Sequence, residues 1–190
     1  MDMNIERSPG RDFWRRMGPT GHACHVFSDP VTLHEMLTAY VGGGLWAGDA
    51  VVLIATQARL RVIEASARQT GLDLAHFRGD DRLIALSAEA TLSRFMVDGW
   101  PDAGLFEASV GEIVARARRG GRSVRAYGEM VAVLWERGNF AGAIRLEQLW
   151  NRLIERDGFR LLCAYEKRLF HTADAQSRRE IRDLHSDFAS

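Results

Sequence analysis

The segment Ala50-Val51-Val52-Leu53-Ile54-Ala55 constrains the fold more than any other part of this chain. It is apolar at every position, and Gly48-Asp49 turns the chain into it. Successive side chains of a strand point to opposite faces, so a strand with no polar position must be covered on both sides. That is the signature of a parallel sheet with helices on each face. The rest of the chain agrees, because segments with strand character alternate with segments of helical periodicity.

Strands are predicted at 22–27, 50–55, 82–87, 123–127 and 160–165. Leu33, Met36, Leu37, Tyr40, Val41 and Leu45 recur at three- and four-residue steps and predict a helix opening at Pro30. Asp29 is its expected N-cap, and Gly42-Gly43-Gly44 is expected to end it near Tyr40 or Val41. Thr56 caps the next helix, with Gly71 as its stop. Ser87 caps another, predicted to run to about Val97. Further helices carry Phe106, Val110, Ile113, Val114 and Ala117, then Met130 to Trp135, then Ile144, Leu146, Leu149, Trp150, Leu153 and Ile154 behind an Asn139 cap. Residues 172–188 read as an amphipathic helix with Ile181, Leu184 and Phe188 on one side. The organisation is an N-terminal arm over 1–21, a central α/β domain over 22–170 and a C-terminal amphipathic helix within 171–190. In the arm, Phe13, Trp14 and Met17 can form one short apolar face.

Composition limits the function. The 190 residues hold 25 basic and 25 acidic side chains, so net charge argues for neither nucleic acid nor an anionic membrane. No apolar run reaches the length of a membrane span and no signal-peptide h-region is visible. Two cysteines, Cys24 and Cys163, are too few for a disulfide framework, and the cytoplasm is the expected compartment. Lys167 is the single lysine among the basic residues.

The densest chemistry lies in His22-Ala23-Cys24-His25-Val26-Phe27-Ser28-Asp29-Pro30. This strand–turn–helix junction sits where a phosphate-binding loop would be in an ATPase. Such a loop needs glycines for its backbone cradle, a lysine for the β- and γ-phosphates and a hydroxyl for magnesium. Phe27 to Thr32 has no glycine and no lysine, and Asp29 adds negative charge. The strand Ser123 to Tyr127 ends in Gly128-Glu129 and contains Arg125, unlike an apolar strand closed by a magnesium-binding aspartate. ATP hydrolysis is therefore not expected.

Strand ends gather at one edge of such a sheet, where ligands bind. The expected small-molecule site there draws on His22, Cys24, His25, Tyr127, Glu129, Trp135, Glu147, Cys163 and Tyr165. Glu147 lies on the apolar side of its helix and needs a partner; an arginine such as Arg125 is expected, with a polar role in the pocket as the alternative. A second reading is a transition-metal site from His22, Cys24, His25 and Cys163, whose ligand types suit zinc. Strand alternation opposes it, because His22 and Cys24 face one way and His25 the other. A Cys/His/Asp hydrolase through Cys24, His25 and Asp29 places its nucleophile inside a strand and not on an exposed elbow. His34 and His76 read as surface residues. Trp46, Trp100 and Trp150 read as core, and Trp135 as core or crevice wall. The sequence assigns no cofactor.

Two resemblances extend this reading. The order strand, turn, helix, Gly44-Leu45-Trp46-Ala47-Gly48-Asp49 and apolar strand resembles the opening of RecA-like ATPases of the KaiC type. Over residues 22–187, His22-x-Cys24, Gly128-Glu129-Met130, Cys163-Ala164-Tyr165 and His185-Ser186 together resemble the MEDS domain. That family is named for the sensory domain of a methylotroph dichloromethane-response regulator and its methanogen relatives. The resemblance implies a RecA-like three-layer sandwich without a functional P-loop. It also implies a non-catalytic sensor that binds a small molecule and signals to a protein partner such as a histidine kinase or transcription regulator. A homodimer and a pure protein-interaction scaffold are further readings. His185 is not read as a phosphoacceptor, since no kinase module accompanies it.

Overall fold

The computed structural model describes residues 17–190. Six strands form one sheet: β1 (Gly21–Phe27), β2 (Ala50–Ala55), β3 (Leu83–Ser87), β6 (Val124–Gly128), β7 (Arg160–Glu166) and β8 (Asp187–Ala189). Their order is β3-β2-β6-β7-β1-β8, and every pairing is parallel. Two further short strands, β4 (Met96–Val97) and β5 (Trp100–Pro101), form a separate antiparallel pair.

Strand β2 behaves as its sequence demands. Ala50, Val52 and Ile54 enter one core, and Val51, Leu53 and Ala55 enter the other. The first core packs against α6 (Glu112–Ala117), α7 (Met130–Glu136) and α8 (Phe140–Asp157), through Val114, Met130, Leu146 and Trp150. The second packs against α1 (Pro30–Trp46) and α2 (Gln57–Gln69), through Leu33, Leu37, Tyr40 and Ile63. The result is a three-layer α/β sandwich with a fully parallel sheet at its centre.

Four helix starts use the capping residues that the sequence marks. Asp29 accepts from the Val31 and Thr32 amides, Thr56 from Arg59, Ser87 from Ala90 and Asn139 from Gly142. Helix α1 runs past its glycines to Trp46, five residues beyond Val41. The reason is close packing. A Cβ at Gly44 would lie 3.0 Å from both Arg125 Cδ and Val51 Cγ2, so the missing side chain lets the helix settle onto the sheet. The last turn leaves Trp46 79% exposed, which corrects its reading as core; Trp100, also read as core, is half-exposed.

Two other stretches depart from their periodicity. The helix expected from Ser87 to Val97 stops after α4 (Ala88–Leu92). Asp98 and Gly99 both adopt positive φ (50° and 78°) and turn the chain into the β4–β5 hairpin. After the short helices α3 (Leu74–Arg78) and α5 (Ala103–Phe106), a π-helical turn (Glu107–Gly111) leads into α6. The C-terminal segment divides. Beyond α9 (Lys167–Phe170), α10 spans only Ala175–Asp183, and Phe188 then lies in strand β8. Residues 23–25 of β1 pair with 187–189, so the tail completes the sheet as an edge strand. Of the apolar face expected in the N-terminal arm, Met17 is buried in the second core, and Phe13 and Trp14 lie outside the described residues.

Candidate functional site

The carboxyl ends of β1, β6 and β7 open on a small crevice of about 80 Å³. Phe27, Tyr165 and Glu166 reach it from strand ends, Glu129 from the turn after β6, Arg59 from α2, and Ala132, Trp135 and Glu136 from α7. Trp135 donates its indole N–H to the Leu169 carbonyl (3.1 Å), which fixes the ring that forms one wall.

Glu129 is committed to its neighbours. One carboxylate oxygen accepts from the Thr56 amide (2.8 Å) and hydroxyl (3.0 Å). The other accepts from Arg59 Nε (3.0 Å) and an Arg59 terminal nitrogen (2.8 Å). The bidentate pair is nearly dry, with side-chain exposures of 13% for Arg59 and 7% for Glu129. Arg59 also sits over the Phe27 ring, 5.7 Å from its centroid. Tyr127 lies beneath this pair and does not line the crevice; burial first, and Glu129 second, push its phenol well up.

At the neighbouring turn, Asp29 fills the N-terminus of α1 with its own carboxylate, accepting at 3.0 Å from Val31 N–H and 3.1 Å from Thr32 N–H. The donors that would cradle a phosphate in a P-loop are thus occupied by an acidic side chain.

A second cluster lies deeper, between β1, β7, α8 and the segment after α10. Parity puts His22 and Cys24 on the face of β1 that meets α8, and register sets Cys163 opposite Cys24. Glu147 projects from α8 into this space and is fully buried. Its carboxylate accepts from the Tyr165 hydroxyl (2.7 Å) and lies 3.2 Å from His22 Nε2, 3.5 Å from His185 Nε2 and 3.5 Å from Cys163 Sγ. The His22 and His185 rings stand 4.0 Å apart. Burial opposes the charge on Glu147, but His185 and His22 outweigh it and hold the carboxyl well below the usual range. Burial, then His185, lowers the His22 pKa; for His185 the pull of Glu147 outweighs burial and raises it. Burial pushes both thiols well up.

The structure therefore divides the residues singled out in the sequence. His22, Glu147, Cys163 and Tyr165 share the buried cluster, with Cys24 packed in the same core. Glu129, Trp135 and Tyr165 line the crevice, and Tyr165 belongs to both places. His25 is only half-buried, does not line the crevice and lies on the other face of β1, so the set His22, Cys24, His25 and Cys163 does not close around one point. The expected Glu147–Arg125 pair is also corrected. Arg125 points into the other layer, where its Nε donates to Asp49 at 2.6 Å, and histidines take its place beside Glu147.

Sequence reasoning left out Arg59, Asn151 and the site role of His185. Arg59 and Asn151 are surface-type residues on amphipathic helices and carry no local signal. His185 carries one, in the His185-Ser186 pair, but the helical reading of the tail gives it no strand neighbour and weighs it only as a phosphoacceptor. Ser186 in fact donates its backbone N–H to the His22 carbonyl (2.8 Å), and this bond carries His185 onto the cluster.

Among the described residues no helix is long and apolar enough to cross a membrane. No curated protein matches the chain. The sequence model of the MEDS family, the methanogen/methylotroph DcmR sensory domain, matches residues 21–186 and thus takes in every strand of the sheet except β8. The chain belongs to this family of sensory domains.

Proposed function

We propose that this protein is a non-catalytic sensor that binds a small organic molecule in the crevice at the strand ends and passes the change to a protein partner. One observation carries the reading: aromatic walls, Trp135 and Tyr165, meet a fixed polar pair, Arg59–Glu129, in a space at the carboxyl ends of three parallel strands. The volume suits a molecule of only a few heavy atoms, being about half that of a roughly 150 Å³ cavity that holds benzene. Glu129 neutralises Arg59, and Glu136 and Glu166 add two further acidic groups at the rim. A neutral or cationic ligand fits that balance better than an anion.

Tyr165 gives the ligand a route inward. Its ring walls the crevice while its hydroxyl holds Glu147, so a ligand that shifts this ring also shifts the buried cluster and the tail attached to it. Such a shift reaches a partner, a histidine kinase or a transcription regulator in this reading, to the extent that the ligand prefers one arrangement over the other.

The test is a thermal-shift and tryptophan-fluorescence titration of the full chain with methanol, methylammonium and acetate. Stabilisation by methanol or methylammonium but not acetate, lost when Ala132→Leu fills the crevice, supports the reading. Equal responses to all three, or a response that Ala132→Leu leaves intact, overturn it.

A further inference from the structure

His185 Nδ1 lies 2.6 Å from the Ile181 carbonyl, which can only accept, so Nδ1 carries a hydrogen. Asn151 donates through Nδ2 to the Leu184 carbonyl (2.8 Å), which leaves its oxygen to accept from His22 Nδ1 at 2.7 Å. Both rings thus keep Nδ1 on an outer partner and turn Nε2 inward, toward the Glu147 carboxylate. Between them sits the Glu147 carboxylate, another acceptor. Tyr165 supplies one hydrogen to it, and the Cys163 thiol can supply one more. His185 Nε2 is buried and makes no hydrogen bond among the described residues; the Glu147 carboxylate lies 3.5 Å from it.

We propose that His22, Glu147, Cys163 and His185 form a closed binding site for one divalent transition-metal ion of the zinc class. The four candidate ligand atoms lie within 4.8 Å of one another. The separations at hand are 3.2 Å (His22 Nε2 to Glu147), 3.3 Å (His22 Nε2 to Cys163 Sγ), and 3.5 Å from the carboxylate to both Cys163 and His185. Tetrahedral zinc bonds of about 2.0–2.3 Å place neighbouring ligands roughly 3.3–3.6 Å apart. The charge also closes. Binding expels the Cys163 thiol proton to solvent, and one thiolate plus one carboxylate balance a divalent cation in a site whose four side chains are all buried.

The surroundings match what ligating residues require. Each imidazole gives its other N–H to a fixed oxygen, that of Ile181 or Asn151, and the carboxylate is oriented by Tyr165. Four protein ligands leave no open coordination position, so the ion would bind structure together and not activate water. It would join β1, α8, β7 and the tail segment that leads into β8.

The experiment is a cobalt(II) titration of the full chain after chelator treatment. Expected are one ion per chain, the visible bands of tetrahedral cobalt, a near-ultraviolet thiolate-to-cobalt band and release of at least one proton per ion. Zinc(II) should bleach these bands. The chain has two cysteines, so Cys163→Ser must remove the thiolate band while Cys24→Ala retains it. Asn151→Ala keeps all four ligands and should weaken binding about 10–100-fold, a readout that does not need a ligand variant to fold. Absence of stoichiometric binding to the folded wild-type chain, or a thiolate band that survives Cys163→Ser, overturns the site. Neither result bears on the crevice, whose titration uses no metal.

Discussion

The hydroxyl of Tyr165 and the carboxylate of Glu147 meet at 2.7 Å inside the protein, and the two residues reach that point from different layers, the sheet and α8. Tyr165 borders the crevice yet is buried, and its hydroxyl end lies in the interior. Replacing it with phenylalanine keeps the wall and removes one hydrogen from a charged acceptor. The expected loss is about 1.5–3 kcal/mol, the range for a hydrogen bond to a charged group. Urea unfolding checks this, and an unchanged midpoint would show that the bond contributes nothing.

The pair Arg59–Glu129 is the second place where charge is nearly dry. Arg59→Met leaves the Glu129 carboxylate with only its Thr56 donors, and the expected cost is on the order of 3 kcal/mol. Glu129→Gln keeps a polar group for Thr56 and should cost less. A double-mutant cycle should return a coupling of 0.5 kcal/mol or more, roughly the threshold for residues in contact. Additive effects would mean that the ion pair has no net role.

Gly44 tests the packing of α1. Valine there must push against Arg125 and Val51 at 3.0 Å, and overpacking of this kind costs about 1–3 kcal/mol. Gly48 makes a useful contrast. It has open space around it but a φ of +86°, so Gly48→Ala is strained by backbone conformation alone. Measuring both by thermal unfolding separates the two roles of glycine in this one turn.

Asp29 sets a pH dependence. The Thr32 hydroxyl first, then the Val31 and Thr32 amides, hold its carboxyl below the usual value. A group depressed on folding stabilises the native state above its unfolded pKa, and this is lost as pH falls through the lower folded value. The wild-type chain should exceed Asp29→Ala in stability at neutral pH, with the gap closing in acid. A gap of constant size would assign the effect to something other than the charged cap.

Much of the fold was legible because its strongest signals are local and unambiguous. Ala50 to Ala55 has one physical solution, and Asp29, Thr56, Ser87 and Asn139 cap helices wherever they stand before a periodic run. The misreadings share a cause. Propensity and period end the helix at Gly42 to Gly44 and make Thr172 to Phe188 helical, while the sheet decides both, by receiving a bare helix face in one case and an extra strand in the other. The buried cluster was half legible. Strand parity puts His22 with Cys24, and the helical stripe marks Glu147 as buried. That Cys163 and His185 meet them depends on the register of β1 against β7 and β8, which no local pattern encodes.

The strand that opens the described fold finds its neighbours last. His22 contacts Cys163 across 141 residues of chain and Ser186 across 164, and β1 has no other partner strands. At a synthesis rate of about 5–20 residues per second, β1 waits roughly 7–28 seconds for its first partner to be made. For that interval its apolar side chains and two open hydrogen-bonding edges are available to any other chain nearby. The sheet therefore cannot close around its first strand until the chain beyond Arg160 has been made.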